Sequence, residues 1–284
     1  MKLVNAGGDL FVPDGATASA ALARTTHMAI VAHQDDAEIV AYRGILDCFG
    51  SAERWFTAVV VTDGAGSSRT GPYELCTDED MVQIRKHEQR KAAVVGDYSA
   101  VVQLGYTSVQ AKVTGGGPLV GELADLVRAA DPDVLFTHNL ADRHDTHVAI
   151  ALRVIEACRA LDAGERPARV LGGEVWRDLD WLSDEDKVTL DVQERESLGM
   201  ALLGVFDSQI TGGKRYDLAT LGRRRAHATY HASHDVDATT ALSFAMDLTP
   251  LVVDRSLSPR SYAQAFIDRF GAEVAARLGR LGVG

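Results

Sequence analysis

The chain has 284 residues, of which 46% are hydrophobic and 24% are charged, so it is long enough for one large α/β domain and has ordinary globular composition. Its formal net charge of −11 argues against a nucleic-acid-binding surface, because phosphate binding needs clustered cations. Three cysteines without a C-x-x-C pair exclude a thiolate zinc site and a disulfide framework, which favours a reducing compartment.

Strands and helices alternate along the first 160 residues. After a leader at 1–26, short apolar runs rich in β-branched residues predict strands at 27–32, 55–62, 100–104 and 133–137. Periodic stretches with capping residues predict helices at 37–49, 78–95, 120–130 and 148–160. This alternation is the signature of βαβ units, so we expect an α/β fold with a mostly parallel sheet and helices on both faces.

The pattern changes beyond residue 164. Strands are predicted at 169–176 and 187–192 around a polar turn, in one interpretation as an antiparallel edge, and helices at about 194–205, 217–231 and 258–278. The sequence has no internal repeat and no low-complexity linker. We therefore expect a single domain, 1–284, with a core at about 27–165 and a C-terminal strand and helix elaboration at about 166–284.

No apolar run approaches the roughly 18–20 residues of a membrane span, and the N-terminus lacks the layout of a signal peptide. The expected location is the cytoplasm, with neither membrane nor nucleic acid as a partner. Assembly into a homo-oligomer is compatible with the sequence.

Polar side chains follow two of the core strands. His33, Asp35 and Asp36 come directly after the first strand, and His144 and His147 follow the fourth. Ligands of open α/β sheets bind at the carboxyl ends of the strands, and residues three apart in a strand-to-helix turn can point the same way. Two imidazoles and a carboxylate with an open fourth position are the pattern of catalytic zinc, which lowers the pKa of a bound water to roughly 7.

Four candidate positions compete for three ligand roles. His33, Asp36 and His147 form the cleanest set, which leaves Asp35 as general base and His144 as acid or oxyanion stabiliser. The plainer alternative makes the carboxylates helix caps and the histidines surface residues. Two such motifs, each at a predicted strand end, favour the metal interpretation.

These motifs resemble a known family. The segment Ala32–Glu38 (AHQDDAE) resembles the A-H-P-D-D-E signature of the LmbE-like, or PIG-L, zinc-dependent N-deacetylases, and His144–His147 (HDTH) resembles their H-P-D-H signature. The resemblance covers about residues 28–160. It implies a Rossmann-like fold, Zn²⁺ as cofactor with Fe²⁺ as an alternative in vivo, and the same roles for the five residues of the two motifs.

The implied activity is removal of an N-acetyl group from an N-acetylglucosamine-type sugar or sugar conjugate, a small sugar-like amide. Arg85 matches a family arginine that reaches the substrate, although its spacing from Glu88 by itself predicts a plain surface ion pair. Some sugar deacetylases carry a tyrosine where this chain has Asp142, and this difference concerns the choice of substrate and not the metal chemistry. Alternatives are an amidase of another small amide such as a thiol conjugate, a non-haem Fe(II) oxygenase, and a non-catalytic binding module.

Three features of the elaboration stay without an assigned role. His227, His231 and His234 are expected mainly on a solvated helix face, and Arg223–Arg225 could serve one anionic group. Trp176 and Trp181 are candidates for a sugar-stacking wall, with core packing as the default.

Overall fold

The structure is a computed structural model and describes residues 2–115, 117–232 and 234–282. Within these ranges one sheet contains eight strands: β1 (Asp9–Phe11), β2 (His27–Val31), β3 (Phe56–Thr62), β4 (Ala100–Tyr106), β5 (Val134–His138), β6 (Arg169–Gly173), β7 (Lys187–Asp191) and β8 (Leu242–Asp247). The same ranges contain twelve α-helices: α1 (Ala18–Ala23), α2 (Asp36–Val40), α3 (Tyr42–Cys48), α4 (Asp78–Val95), α5 (Ser108–Ala111), α6 (Pro118–Ala130), α7 (Asp145–Ala160), α8 (Glu196–Gly204), α9 (Asp207–Ile210), α10 (Tyr216–Tyr230), α11 (Thr249–Val253) and α12 (Pro259–Arg280).

The strand order is β1-β4-β3-β2-β5-β6-β8-β7. The five strands from β4 to β6 in this order run parallel, and β1 and β8 pair antiparallel at the two sides. The expected α/β class with a mostly parallel sheet is thereby confirmed. The chain leaves β2 in one direction to β3 and β4 and returns to β5 on the other side. A topological switch point therefore lies between β2 and β5, where such sheets bind ligands.

Both faces of the central strands are covered. Along β2, Met28 and Ile30 belong to one apolar cluster, and Ala29 and Val31 belong to another on the opposite face. All seven residues of β3 are buried. This double burial explains why the central strands are continuous apolar runs rather than alternating ones.

Several boundaries differ from the sequence-based expectation. The helix predicted at 37–49 is divided at Ala41, and α7 begins at Asp145 instead of Val148, which places His147 in its first turn. The structure adds β1 and α1 in the leader, and it adds β8.

Strand β8 also corrects the view of 169–192 as one antiparallel edge. It lies between β6 and β7, antiparallel to each, while β6 pairs in parallel with β5. Among the described helices, none combines the length and apolar character that crossing a bilayer needs.

Candidate metal centre

The first polar motif lies in the turn between β2 and α2. Asp35 has φ +86°, in the left-handed region that non-glycine residues rarely adopt, at a cost of roughly 1–2 kcal/mol. Strand β2 has already ended at Val31, and the turn at Asp35 lets α2 begin at Asp36, five residues after the end of the strand. The second motif lies beyond β5, the parallel neighbour of β2. The two strands thus bring the two motifs together.

Three predicted ligands converge on one point. His33 Nδ1 lies 3.2 Å from Asp36 Oδ2 and 3.1 Å from His147 Nε2, and His147 Nε2 lies 3.4 Å from Asp36 Oδ2. Ligand bonds of 2.0–2.2 Å in a tetrahedral site separate neighbouring ligand atoms by about 3.3–3.6 Å. The donor atoms of His33, Asp36 and His147 therefore form a triangle that fits a divalent metal ion, with the pocket beyond it.

Two of these predicted ligands are held by further polar groups. The backbone N–H of His33 donates to Asp36 Oδ2 at 2.7 Å. Burial alone raises the pKa of Asp36, but the imidazole of His147 and the hydrogen bond with His33 outweigh it, and the net pKa lies below the ordinary value. Asp142 Oδ2 lies 3.2 Å from His147 Nδ1, the arrangement by which a carboxylate orients a metal-binding imidazole. Sequence reasoning missed this role of Asp142.

His138 lies behind the ligand triangle as a buried support. Its ring stacks on His147 with centroids 4.0 Å apart, and its Nε2 accepts a hydrogen bond from the backbone N–H of Ala32 at 2.9 Å. Burial and the neighbouring His147 hold the pKa of His138 well below its usual value, so the ring is neutral. Because its Nε2 lone pair is already used, His138 is unsuited to be a ligand.

Asp35 is held by a buried arginine. Arg85 on α4 is 1% exposed; its Nη2 donates to Asp35 Oδ2 at 2.8 Å and to the carbonyl of Gln34, and its Nη1 donates to Glu88 Oε2 at 2.9 Å. The expectation of a surface pair between Arg85 and Glu88 is therefore wrong. Burial, opposed by Arg85 but reinforced by Asp36, raises the pKa of Asp35 to about 6.

Glu88 links this arginine to the C-terminal elaboration. Its Oε1 accepts from the backbone N–H of Ser208 at 2.7 Å, and its Oε2 accepts from the Ser208 hydroxyl at 2.8 Å. Ser208 lies on α9, more than 100 residues away in sequence. A chain of buried hydrogen bonds thus runs from Ser208 through Glu88 and Arg85 to Asp35.

A cavity of about 360 Å³ opens over the ligand triangle. His144 lines it; burial lowers the pKa of His144, and His147 and His33 lower it further, so the neutral imidazole prevails at neutral pH. The opposite wall comes from the elaboration, where the rings of Trp176 and Tyr216 meet edge to face at 5.8 Å. Trp176 is therefore a wall residue, whereas Trp181 packs against the core.

The other unassigned residues lie elsewhere. His227 is 7% exposed, which overturns the expectation of a solvated face for it, whereas His231 is half-buried and His234 is exposed. The arginine run turns to three separate partners. Arg223 donates to the carbonyl of Val175, Arg224 to the carbonyl of Glu38, and Arg225 to Glu196 on the surface.

Comparisons with known proteins agree with this geometry. The model of the PIG-L family, described as GlcNAc-PI de-N-acetylase, matches residues 28–158, which confirms the resemblance drawn from the two motifs. No curated protein matches the chain.

Solved structures share the fold at low sequence identity. N,N'-diacetylchitobiose deacetylase from Pyrococcus horikoshii is 15% identical with a TM-score of 0.61, over 80% of this chain and 85% of that one. GalB, the 4-carboxy-2-hydroxymuconate hydratase from Pseudomonas putida KT2440, is 18% identical with a TM-score of 0.61, over 79% of this chain and 96% of that one. A zinc-inhibited form of teicoplanin deacetylase Orf2 is 18% identical with a TM-score of 0.55, over 78% of this chain and 97% of that one.

Proposed function

We propose that the protein belongs to the PIG-L family, whose model matches residues 28–158, and that it is a zinc-dependent hydrolase that removes an N-acetyl group from an N-acetylglucosamine-type sugar or sugar conjugate. One observation carries the proposal. The triangle of His33, Asp36 and His147 lies at the floor of a cavity that also holds Asp35 and His144. The proposed ligands, the proposed base and the proposed oxyanion-stabilising imidazole thus line one cavity.

The donor set of two imidazoles and one carboxylate suits Zn²⁺, and Fe²⁺ can occupy a set of the same kind. A divalent ion held there would supply Lewis acidity to the attacking water and to the amide carbonyl. Asp35 takes the proton from the water and later passes it to the leaving amine. His144 donates an N–H hydrogen bond to the oxygen on which negative charge develops. Arg85 holds the Asp35 carboxylate towards the cavity.

The cavity wall supports a sugar-like substrate. Trp176 and Tyr216 offer apolar ring faces, and Ser67, Ser68 and Lys214 offer polar groups along the same cavity. Aromatic faces with a few polar groups suit a ring that has apolar C–H faces and hydroxyl edges. Two of the solved structures with this fold are deacetylases by name, of N,N'-diacetylchitobiose and of teicoplanin. GalB has the same fold but is a hydratase by name, so the fold alone does not determine the reaction, and the reaction is tested directly.

The decisive experiment measures acetate release from a panel of N-acetyl sugars, sugar conjugates and non-sugar N-acetyl amides by zinc-loaded protein. We expect turnover on a sugar substrate, and a fall of at least about 10²-fold for Asp35→Asn with zinc still bound. Asp125→Asn, an exposed carboxylate on α6, is the matched control and should keep full activity. Activity of Asp35→Asn equal to that of wild type would refute the role of Asp35. Release from non-sugar amides alone would refute the substrate class.

A further inference from the structure

A second cluster of side chains of the types that bind metals lies outside the cavity floor. It consists of Glu174, Asp178 and His227, called here the Glu-Asp-His cluster, and one donor atom from each lies within 4.8 Å of the other two. Glu174 follows β6 directly, Asp178 lies four residues further in the same loop, and His227 lies in the last turn of α10. His227 Nε2 is 3.1 Å and 3.2 Å from the two Asp178 oxygens and 3.6 Å from Glu174 Oε1.

The cluster has a surplus of hydrogen-bond acceptors. His227 Nδ1 lies 3.2 Å from the backbone oxygen of Leu242, which can only accept, so Nδ1 carries the ring proton. In the neutral imidazole Nε2 is then an acceptor, and it faces the acceptor oxygens of Asp178. Atoms of this kind approach to 3.1 Å only when a cation, either a proton or a metal ion, lies between them.

The geometry suits a metal ion. Separations of 3.1–3.6 Å are close to the roughly 3.3–3.6 Å between ligand atoms of a tetrahedral zinc site, and they resemble those in the His33–Asp36–His147 triangle. The carbonyl of Leu242 fixes the tautomer of His227, as carbonyl partners do for ligating histidines. The ring of His227 is also stacked on Phe244 of β8, with centroids 4.1 Å apart, so its orientation is set by packing.

From this geometry we propose that the Glu-Asp-His cluster binds a second divalent cation of the zinc type, through His227 Nε2 and one oxygen each from Glu174 and Asp178. Glu174 and Asp178 bind the cation as carboxylates, so a proton carried by either carboxyl group leaves to solvent as its O–H bond breaks and the oxygen binds the cation.

The position of the cluster gives this cation a structural role. Asp178 and Glu174 lie on either side of Trp176 in one loop, and His227 shares α10 with Tyr216. Trp176 and Tyr216 form the cavity wall. A cation held by the cluster ties the loop to the helix and so fixes the distance between the two rings. It touches no reacting atom in the proposed reaction.

Metal content tests the proposal. The protein is loaded with Zn²⁺, freed of excess metal by gel filtration, and analysed by mass spectrometry for zinc per chain. We expect two equivalents of zinc per chain for wild type and one for His227→Gln. The double variant His33→Ala/His147→Ala should keep one, and the triple variant that combines all three substitutions should keep none. His87→Gln removes an exposed imidazole on α4 and is the matched control with two.

Asp178→Asn keeps the size of the side chain and serves as a second variant if His227→Gln does not fold. One equivalent in wild type that His227→Gln retains, or none in a folded His33→Ala/His147→Ala protein, would overturn the proposal. The count needs no substrate, so it is independent of the proposed activity. On a working substrate, His227→Gln should raise KM more than it lowers kcat, because the wall loosens while the reacting groups stay in place.

Discussion

Arg85 is the cation on which two buried carboxylates depend. The substitution Arg85→Met keeps much of the side-chain length and removes all five N–H donors. Asp35 Oδ2 and Glu88 Oε2 lose donors at 2.8 Å and 2.9 Å, and Asp35 remains beside Asp36. Removing one partner from a buried ion pair costs about 3–5 kcal/mol, chiefly because the other charge stays buried without compensation. We expect Arg85→Met to lose about that much free energy of unfolding.

Thermal and urea unfolding measure this cost. For a chain of this size each 1 kcal/mol shifts Tm by roughly 2–4 °C, so we expect Tm to fall by about 6–20 °C. Arg128→Met is the matched control, because Arg128 pairs with Asp125 at 2.8 Å and with Glu165 at 3.1 Å on an exposed face. Exposed pairs contribute about 0–1 kcal/mol. If Arg85→Met were no more destabilising than Arg128→Met, the buried ion pair would not stabilise the fold.

Kinetics of the same variant, or of Arg85→Lys if Arg85→Met does not fold, distinguish two roles for Arg85. An arginine that positions Asp35 changes kcat, because the base is misplaced while substrate contacts remain. An arginine that only contacts substrate, as the family resemblance implies, changes KM at nearly constant kcat. The burial of Arg85 and its bonds to Asp35 predict the first result.

Three further changes test other parts of the site. Asp142→Asn should weaken zinc binding roughly 10–100-fold in chelator competition, because the carboxylate beside His147 Nδ1 is lost; unchanged affinity would contradict that support. In metal-free protein, Glu174 has a pKa raised from 4.5 to about 9, so its stabilising contribution is complete below about pH 4.5 and disappears as pH rises towards 9. Wild type should therefore lose more Tm than Glu174→Gln between pH 5 and 9, and parallel curves would refute this. Trp176→Ala should raise KM for a sugar substrate about 2- to 10-fold, from roughly 0.5–1.5 kcal/mol of lost ring contact, and an unchanged KM would remove Trp176 from the binding wall.

The ligand triangle could be predicted because each half follows a recognisable strand. One apolar run ends shortly before His33 and another ends shortly before His144, and each marks the end of a strand. The carboxyl ends of parallel strands lie at one edge of the sheet, where ligands bind. The distances then depend on β2 and β5 being neighbours, which the strand order provides. Local pattern and topology agree here, so sequence reasoning reached the side chains that meet.

Burial on helices could not be predicted in the same way. The spacing of Arg85 and Glu88 describes a pair on one helix face but not what that face packs against, and here it packs on the turn at Asp35 and on α9. The burial of His227 depends on Phe244 of β8, a six-residue strand with too little periodicity to recognise. In both cases the deciding partner lies in a distant segment, which residue spacing does not encode.

The cavity joins two stretches of sequence with separate duties. The groups proposed to react come from the edge of the parallel sheet before residue 148, whereas Trp176 and Tyr216 come from the segment after β6. Substrate preference could therefore be redesigned by exchanging the later segment alone, as a cassette on an unchanged reactive half. Ser208 is the exception, because its bonds to Glu88 reach Asp35 through Arg85. A grafted cassette must keep this serine to keep Asp35, the proposed base, in place.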